Sequence, residues 1–429
     1  MRLGGRLEAA ISVLADIDVR RRPVADALKD WGLSHRFAGS GDRAAVGNIV
    51  YDALRMRQSH AWLMDDDRPA SIAYAVLFRQ WGFTPETLSA ELLDDKFAPP
   101  SLSEEQLAAF LSRDLRTAPD HVQGDIPEWV LPSFQNAFRD DWLSEAVGLA
   151  GRPTLDLRAN TLKANRDKVV SALSRAGASP ARIARNGVRI PAGEAASRLP
   201  NVTAELSFQK GWFEVQDEGS QIVADLVQPA EGDQVLDYCA GGGGKTLAMA
   251  AAMNNKGQIH AYDADRKRLA PIIERLKRAG TRNVQVHDEL QGLNALVGRC
   301  DKVLVDAPCT GSGTWRRRPD TKWRLTQRNL DERVAQQQEA LLQASTYVRP
   351  GGKLIYVTCS MLTEENEKQM ERFVEQNPQF SIVNAFESWN GLFGSDAPAP
   401  RSLDGKSLTL TPASTDTDGF FFCKLKRSS

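Results

Sequence analysis

Cysteine is scarce and one-sided in this chain: there are five, and none lies before Cys239. An odd total and a cysteine-free first half exclude the disulfide framework of a small secreted domain. No CxxC pair and no cluster of His with Cys offers zinc ligands, so no metal site is expected. No uncharged apolar stretch has the length of a membrane helix, and no membrane association is expected. The opening segment, Met1 to Pro23, alternates apolar and charged residues instead of carrying the apolar block and cleavage site of a secretory leader. A cytoplasmic location is the expectation. A surplus of charge is also missing: 54 Lys and Arg face 55 Asp and Glu, a net charge of -1. Any nucleic-acid partner must therefore be met by a local positive patch rather than by a global field.

What is present divides the 429 residues into three parts. Residues 1–125 read as helices. Arg43 to Arg55 places Val46, Ile49, Val50, Ala53 and Leu54 on one face, behind a Gly39–Gly41 turn with Asp42 as its N-cap. Residues 126–215 read as a small α+β unit. Its strands lie near Leu155–Ala159, Val188–Ile190 and Gly211–Val215, and a helix over Lys168–Ala176 stops at Gly177. Residues 216–429 alternate strand and helix. Strands are expected at Gln234–Tyr238, Gln258–Tyr262, Val284–His287, Lys302–Asp306 and Lys353–Thr358, with helices over Arg266–Ala279 and Leu330–Val348. This alternation predicts an α/β fold with a parallel doubly wound sheet. Ser407–Thr411 and Gly419–Leu425, joined by a polar turn, predict a terminal antiparallel hairpin.

The first chemical signal is Val235 to Thr246, a strand running into Cys239, Ala240, Gly241, Gly242, Gly243, Gly244 and Lys245. Consecutive glycines let a ligand approach the backbone, and the following helix start offers free N–H groups. Gly244-Lys245-Thr246 matches the end of a phosphate-binding P-loop, but Cys239 stands where that motif needs its first glycine. The better match is S-adenosylmethionine. That reading needs an acid at the end of the second strand for the ribose, and Asp263 stands there. Asp265 is a second acid nearby, suited to capping the next helix. Asp288, after the third strand, is a candidate for the adenine side. The plain alternative for the glycines is a tight turn without a ligand.

The second signal is a pair of cysteines at matching strand ends: Val303–Asp306 leads into Ala307-Pro308-Cys309, and Leu354–Thr358 leads into Cys359. On neighbouring parallel strands both would emerge at the carboxyl edge, where open α/β sheets bind ligands. A thiolate adding to carbon 6 of a cytosine makes carbon 5 nucleophilic toward a methyl sulfonium, and a second group helps the adduct break down. Asp306 suits the amine edge of that base. These residues leave open which cysteine attacks. For Cys239, Cys300 and Cys423 the expectation is a small apolar side chain without a chemical task.

With Cys239–Thr246, Asp306–Cys309, Thr358–Ser360, Thr417–Phe421 and the Arg158–Lys163 segment, the chain resembles the Sun-type (Fmu, Nol/Nop/Sun) RNA cytosine-5 methyltransferases over roughly Ile126 to Lys426. The resemblance implies a Rossmann-like class I methyltransferase sheet binding S-adenosylmethionine at Cys239–Lys245, Asp263, Asp288 and Asp306. It implies Cys359 as nucleophile and Cys309 as the residue assisting release. DNA cytosine methyltransferases, which attack with a Pro-Cys cysteine, supply the opposite assignment. The family usually has Ala-Pro where Gly241-Gly242 stand, and a small residue where Glu289 follows Asp288. Gly39–Arg55 resembles an antitermination-factor-like RNA-binding module, and the small unit suggests an RRM-like sheet.

Ribosomal RNA of the small subunit, free or in an assembling subunit, is the expected partner, with transfer RNA as the alternative. A non-catalytic RNA-binding ribosome-assembly factor on the same fold is the rival from another class. After the Cys309 loop, Trp315 to Arg324 interleaves cations with tryptophans. Arg316, Arg317, Arg318, Lys322, Trp323 and Arg324 are expected to meet phosphates and unpaired bases. The plain alternative is a solvated charge run.

Overall fold

A computed structural model describes all residues 1–429. Residues 3–148 are almost entirely helical. The helix Ser40–Arg55 lies at the centre of this part and buries Val46, Ile49, Val50, Ala53 and Leu54 against the helices Leu3–Arg20 and Pro69–Arg79. Its N-cap is Gly39 rather than Asp42; the Asp42 carboxylate reaches back to the Gly39 N–H at 3.2 Å from inside the first turn. No helix is long and apolar enough to cross a membrane.

A four-stranded antiparallel sheet follows. Its strands are β1 (Leu155–Ala159), β2 (Ser179–Pro180), β3 (Gly187–Ile190) and β4 (Phe213–Val215), in the order β2-β3-β1-β4. The helix Arg166–Ala172 follows β1 and the short helix Leu206–Gln209 precedes β4, giving the split β-α-β-β-α-β arrangement. The expected helix end at Gly177 is present, with Gly177 left-handed at φ 75. The helices Leu131–Phe138 and Trp142–Gly148 precede this sheet but do not build it. Phe134, Phe138 and Ala146 pack instead with Trp315, Leu330, Met361 and Leu362 of the third part. These two helices, which the expected division places in the 126–215 unit, thus pack with the third part.

The third part is a Rossmann-like sheet with β5 (Gln234–Asp237), β6 (Gln258–Tyr262), β7 (Val284–His287), β8 (Cys300–Asp306), β9 (Val348–Thr358), β10 (Phe380–Val383), β11 (Leu408–Leu410) and β12 (Phe420–Arg427). The order is β10-β12-β9-β8-β5-β6-β7, with β11 on β12. β5 to β9 pair in parallel, and β12 runs antiparallel to β9 and pairs β11 as the expected hairpin. Val303, Leu304 and Val305 are all fully buried, as a strand covered on both faces requires.

One expectation is corrected, and one strand is added. Arg266–Ala279 is not one helix but two, Arg266–Leu269 and Ile272–Ala279, split at Pro271, which has no N–H to donate and crowds the preceding turn. β10 was not expected. It has four residues and one buried side chain, Phe380, so its pairing with β12 rather than any sequence period makes it a strand.

Candidate active site

The glycine loop springs from the end of β5, between its two parallel neighbours. The Tyr238 N–H donates to Leu304 O on the β8 side, and the Ala240 N–H donates to Tyr262 O on the β6 side, each at 2.8 Å. Gly241 and Gly243 have φ of 50 and 80, a region that residues with a Cβ rarely adopt. The helix Gly244–Ala252 follows directly. Asp263 lies under the loop, buried. One of its oxygens accepts from the Gly241 N–H at 2.9 Å and the other from the Asp265 N–H at 2.8 Å. Asp265 caps the helix Arg266–Leu269 through its own carboxylate. Asp288 is exposed after β7, at the outer edge of the parallel strands, and its side chain has no protein partner.

Lys245 reaches across the strand ends to Asp306, with Nζ 2.7 Å from Oδ2. Burial works against the Lys245 charge, but the Asp306 carboxylate overrides it and holds the ammonium above its ordinary value. Asp237, at the end of β5, accepts a bond from the Thr246 hydroxyl through Oδ2 at 2.7 Å, while its buried Oδ1 has no partner. Burial pushes this carboxyl up to about 7, the Thr246 bond opposes that, and the neighbouring Asp306 and Asp263 charges add to it. Three carboxylates thus surround the loop, and its one lysine is already neutralised. A nucleoside triphosphate would find the lysine that should meet its phosphates already paired with Asp306. The residues present fit a cationic sulfonium compound: the Asp263 and Asp306 carboxylates would favour its positive charge, and the N–H groups of the helix start would favour its amino-acid carboxylate.

The two cysteines meet. β8 and β9 pair in parallel with Asp306 opposite Val357, and Cys309 Sγ lies 3.3 Å from Cys359 Sγ. Both are half-buried. The hydrogen bond to Cys359 and then burial push the Cys309 thiol well above its usual value, and the negative Glu365 adds to the effect. Cys300 and Cys423 are buried in the core beside Tyr356 and Phe421, and burial raises both thiols, as inert core cysteines should behave. Cys239 packs at the edge of the same cluster, with its thiol raised mainly by burial.

Glu365 was not found from the sequence. Buried, it accepts from the Thr310 N–H at 2.8 Å, the Thr310 hydroxyl at 2.6 Å and Gln337 Nε2 at 2.9 Å. It also accepts from the Ser360 hydroxyl. Thr310 follows Cys309 and Ser360 follows Cys359, so one carboxylate ties both thiol-bearing loops together. The Gly313 N–H donates to Cys359 O at 2.9 Å and closes the same junction. The signal available in the sequence was an acid six residues past Cys359, which by itself is indistinguishable from the neighbouring Glu364 and Glu367.

The Trp315–Arg324 segment is where structure and expectation part. Arg316 is buried and pairs with Asp418 at 2.5 Å and Asp217 at 3.5 Å; Arg317 pairs with Asp418 and Asp217. Trp315 is fully buried and stacks on Phe134. Lys322 is 1% exposed, donates to Arg55 O at 2.8 Å, and is pushed down to about 8 by burial. Trp323 donates from Nε1 to Leu54 O at 2.6 Å and packs on the helical part. Arg324 is held by Asp320 at 2.6 Å. Arg318 alone of the six is exposed, and it stands outside these ion pairs. The segment is a strap joining the Cys309 loop to the N-terminal helices, and Arg316, Arg317, Lys322 and Arg324 already have partners within the protein.

The parallel β5–β9 order, the antiparallel β12 and a glycine loop at the β5 switch point define a Rossmann-like class I methyltransferase fold. The comparisons agree. The model of the 16S rRNA methyltransferase RsmB/F family matches residues 224–426. Ribosomal RNA small subunit methyltransferase B of Cronobacter sakazakii is 31% identical over 418 residues, 92% of this chain and 92% of that one. The protein of the same name from Yersinia pseudotuberculosis is 32% identical over 303 residues, 70% of this chain and 66%, just under two thirds, of its own length. Among solved structures, PH0851 superposes over 100% of this chain and 99% of its own, with TM-score 0.73 at 23% identity. A methyltransferase homolog protein from Pyrococcus horikoshii covers 72% of this chain and 97% of its own, with TM-score 0.58 at 25% identity. The chain belongs to the RsmB/F (Sun-type) methyltransferase family.

Proposed function

We propose that the protein is a cytoplasmic S-adenosylmethionine-dependent RNA (cytosine-5)-methyltransferase acting on small-subunit ribosomal RNA through a covalent cysteine adduct. The observation that carries the reading is the pair of thiols 3.3 Å apart at the carboxyl ends of neighbouring parallel strands, beside an acid-lined glycine loop. The names of the relatives support ribosomal RNA as the substrate. Cys239 to Lys245, Asp263 and Asp288 would hold the cofactor, with Asp306 between it and the base. When bound, the cofactor supplies an electrophilic methyl group.

Cys359, its thiol proton given up to solvent, adds as a thiolate to carbon 6; the ring electrons move to carbon 5, which would take the methyl as its bond to the cofactor sulfur breaks and the neutral thioether leaves. The carbon 5 proton then leaves and the bond between Cys359 and carbon 6 breaks, which restores the aromatic ring. Cys309 assists this second stage. The largest cause of its raised value is the bond to Cys359. Cys309 Sγ lies 3.3 Å from that of Cys359, so it stands beside the adduct from which the carbon 5 proton must leave. Both faces of the ring must be reached, so the target cytosine is unpaired or flipped out. In this reading residues 1–125 and 126–215 serve to hold the RNA, and 216–429 carry the chemistry.

The test uses methyl-labelled S-adenosylmethionine with small-subunit RNA and with transfer RNA, resolved on denaturing gels. Wild type should label carbon 5 of cytosine in the ribosomal RNA, Cys359→Ala should be inactive, and Cys309→Ala should leave a trapped protein–RNA adduct. An adduct in Cys359→Ala and inactivity in Cys309→Ala would reverse the roles. Label only in transfer RNA would replace the substrate.

A further inference from the structure

Gly241 to Gly244 contribute no side chain, and four consecutive glycines lose more conformational freedom on ordering than any other run of residues. The loop must therefore be ordered from outside. Asp263 takes the Gly241 N–H. The Gly243 N–H donates to Ala240 O at 2.9 Å, and two further supports come from one helix, Ile272–Ala279. Ile272 fills the space beside Gly243, where a Cβ would stand 2.5 Å from its Cγ1. One turn later, Arg275 donates from Nη1 to Gly242 O at 2.6 Å.

Arg275 is itself held by the small sheet. Glu214, on β4 and 3% exposed, accepts from Arg275 Nε at 3.1 Å and Nη2 at 3.0 Å, and pairs through its other oxygen with Arg278 at 2.5 Å. The far end of the same helix is fastened to the same unit. Asn160 donates from Nδ2 to Ala279 O at 2.8 Å. Gly211 lies so close to Arg278 O that a Cβ would collide with it. The small sheet therefore grips one half of the helix, and the other half grips the cofactor loop.

We propose that the small α+β unit braces the cofactor loop through Glu214, Arg275 and the Gly242 carbonyl, making Arg275 a positioning residue for S-adenosylmethionine. The proposal rests on the reading of this loop as the cofactor site. It gives the small unit a task apart from RNA contact. It also couples the two, because RNA that shifted β4 would alter the hold on the loop. A guanidinium suits the task because it can donate to a carboxylate along one edge and to a carbonyl from another nitrogen.

The experiment measures S-adenosylmethionine affinity by calorimetry, and hydrogen exchange at residues 240–246 of the cofactor-free protein, in wild type, Arg275→Ala, Arg275→Lys and Glu214→Gln. Arg275→Ala should bind the cofactor about ten-fold more weakly, the value of one charge-assisted hydrogen bond. Its loop amides should exchange faster while those of β8 and β9 do not change. Arg275→Lys, which keeps a cation beside Glu214 without the fork, should fall between, and it carries the test if the alanine variant does not fold. Glu214→Gln should act in the same direction as Arg275→Ala. Wild-type affinity and loop exchange in the arginine variants would overturn the brace. Failure of wild type to bind S-adenosylmethionine would overturn the reading of the loop instead, and the exchange comparison would still decide whether Arg275 orders it.

Discussion

At the scale of single residues, the site is defined by carboxylates with unequal tasks. Asp263 spends both oxygens on backbone N–H groups, Asp306 is committed to Lys245, and Asp237 is left with a buried oxygen that nothing satisfies. The last of these has a consequence for stability. Burial raises the Asp237 carboxyl to about 7, above the value near 4 expected in the unfolded chain. The folded protein then binds a proton that the unfolded chain has lost. The contribution is fully present below about pH 4 and is lost as the pH rises to about 7. The melting midpoint of wild type should therefore fall relative to that of Asp237→Asn across this window and stay at a constant offset above it. Parallel melting curves of the two proteins from pH 4 to 8 would show that Asp237 ionises normally.

At the scale of elements, the strap after Cys309 changes the account of how RNA is met. Arg316 and Arg317 are spent on Asp217 and Asp418, which belong to the segment before β5 and to the turn before β12. Removing one partner of a buried pair leaves the other charge uncompensated, at a cost of about 3 kcal/mol. Arg316→Ala should lower stability in urea by that order and leave the salt dependence of RNA affinity unchanged. Arg318→Ala should do the reverse: unchanged stability, and a slope of log affinity against log salt shallower by about 0.7 to 0.9 if Arg318 meets one phosphate. A change of slope in Arg316→Ala without loss of stability would restore the phosphate-binding reading.

At the scale of the whole molecule, the N-terminal helices are attached through the strap after Cys309 and not by a tether. Arg55 donates to Arg316 O at 2.7 Å and to Asp52 at 2.8 Å, and Lys322 and Trp323 donate back to Arg55 O and Leu54 O. Arg152, in the segment before β1, pairs with the same Asp52 and donates to Gly193 O at 2.7 Å in the loop after β3, so the small unit joins the junction through its loops. Arg55→Ala should split a single calorimetric unfolding transition into two and weaken the junction by about 3 kcal/mol. One unshifted transition would mean that the apolar contacts of Trp323 suffice.

The amino-acid sequence by itself determined the parallel strands of the large sheet, the glycine loop, the terminal hairpin and the arrival of Cys309 and Cys359 at one edge. Buried parallel strands leave short apolar runs, loops that need positive φ leave glycines, and two such runs ending in cysteine need only be neighbours for the thiols to meet. Asp263 was legible because its place follows from a strand end. What only the tertiary structure decided is how each charge is spent. Glu365 joins both thiol loops and Arg275 joins the cofactor loop to β4, while Arg316, Lys322 and Trp323 turn inward. An arginine within a basic run reads the same whether it faces solvent or a carboxylate from a distant part of the chain. The partner is set by packing and leaves no local period, so neither the strap nor the brace could be read before the chain was folded.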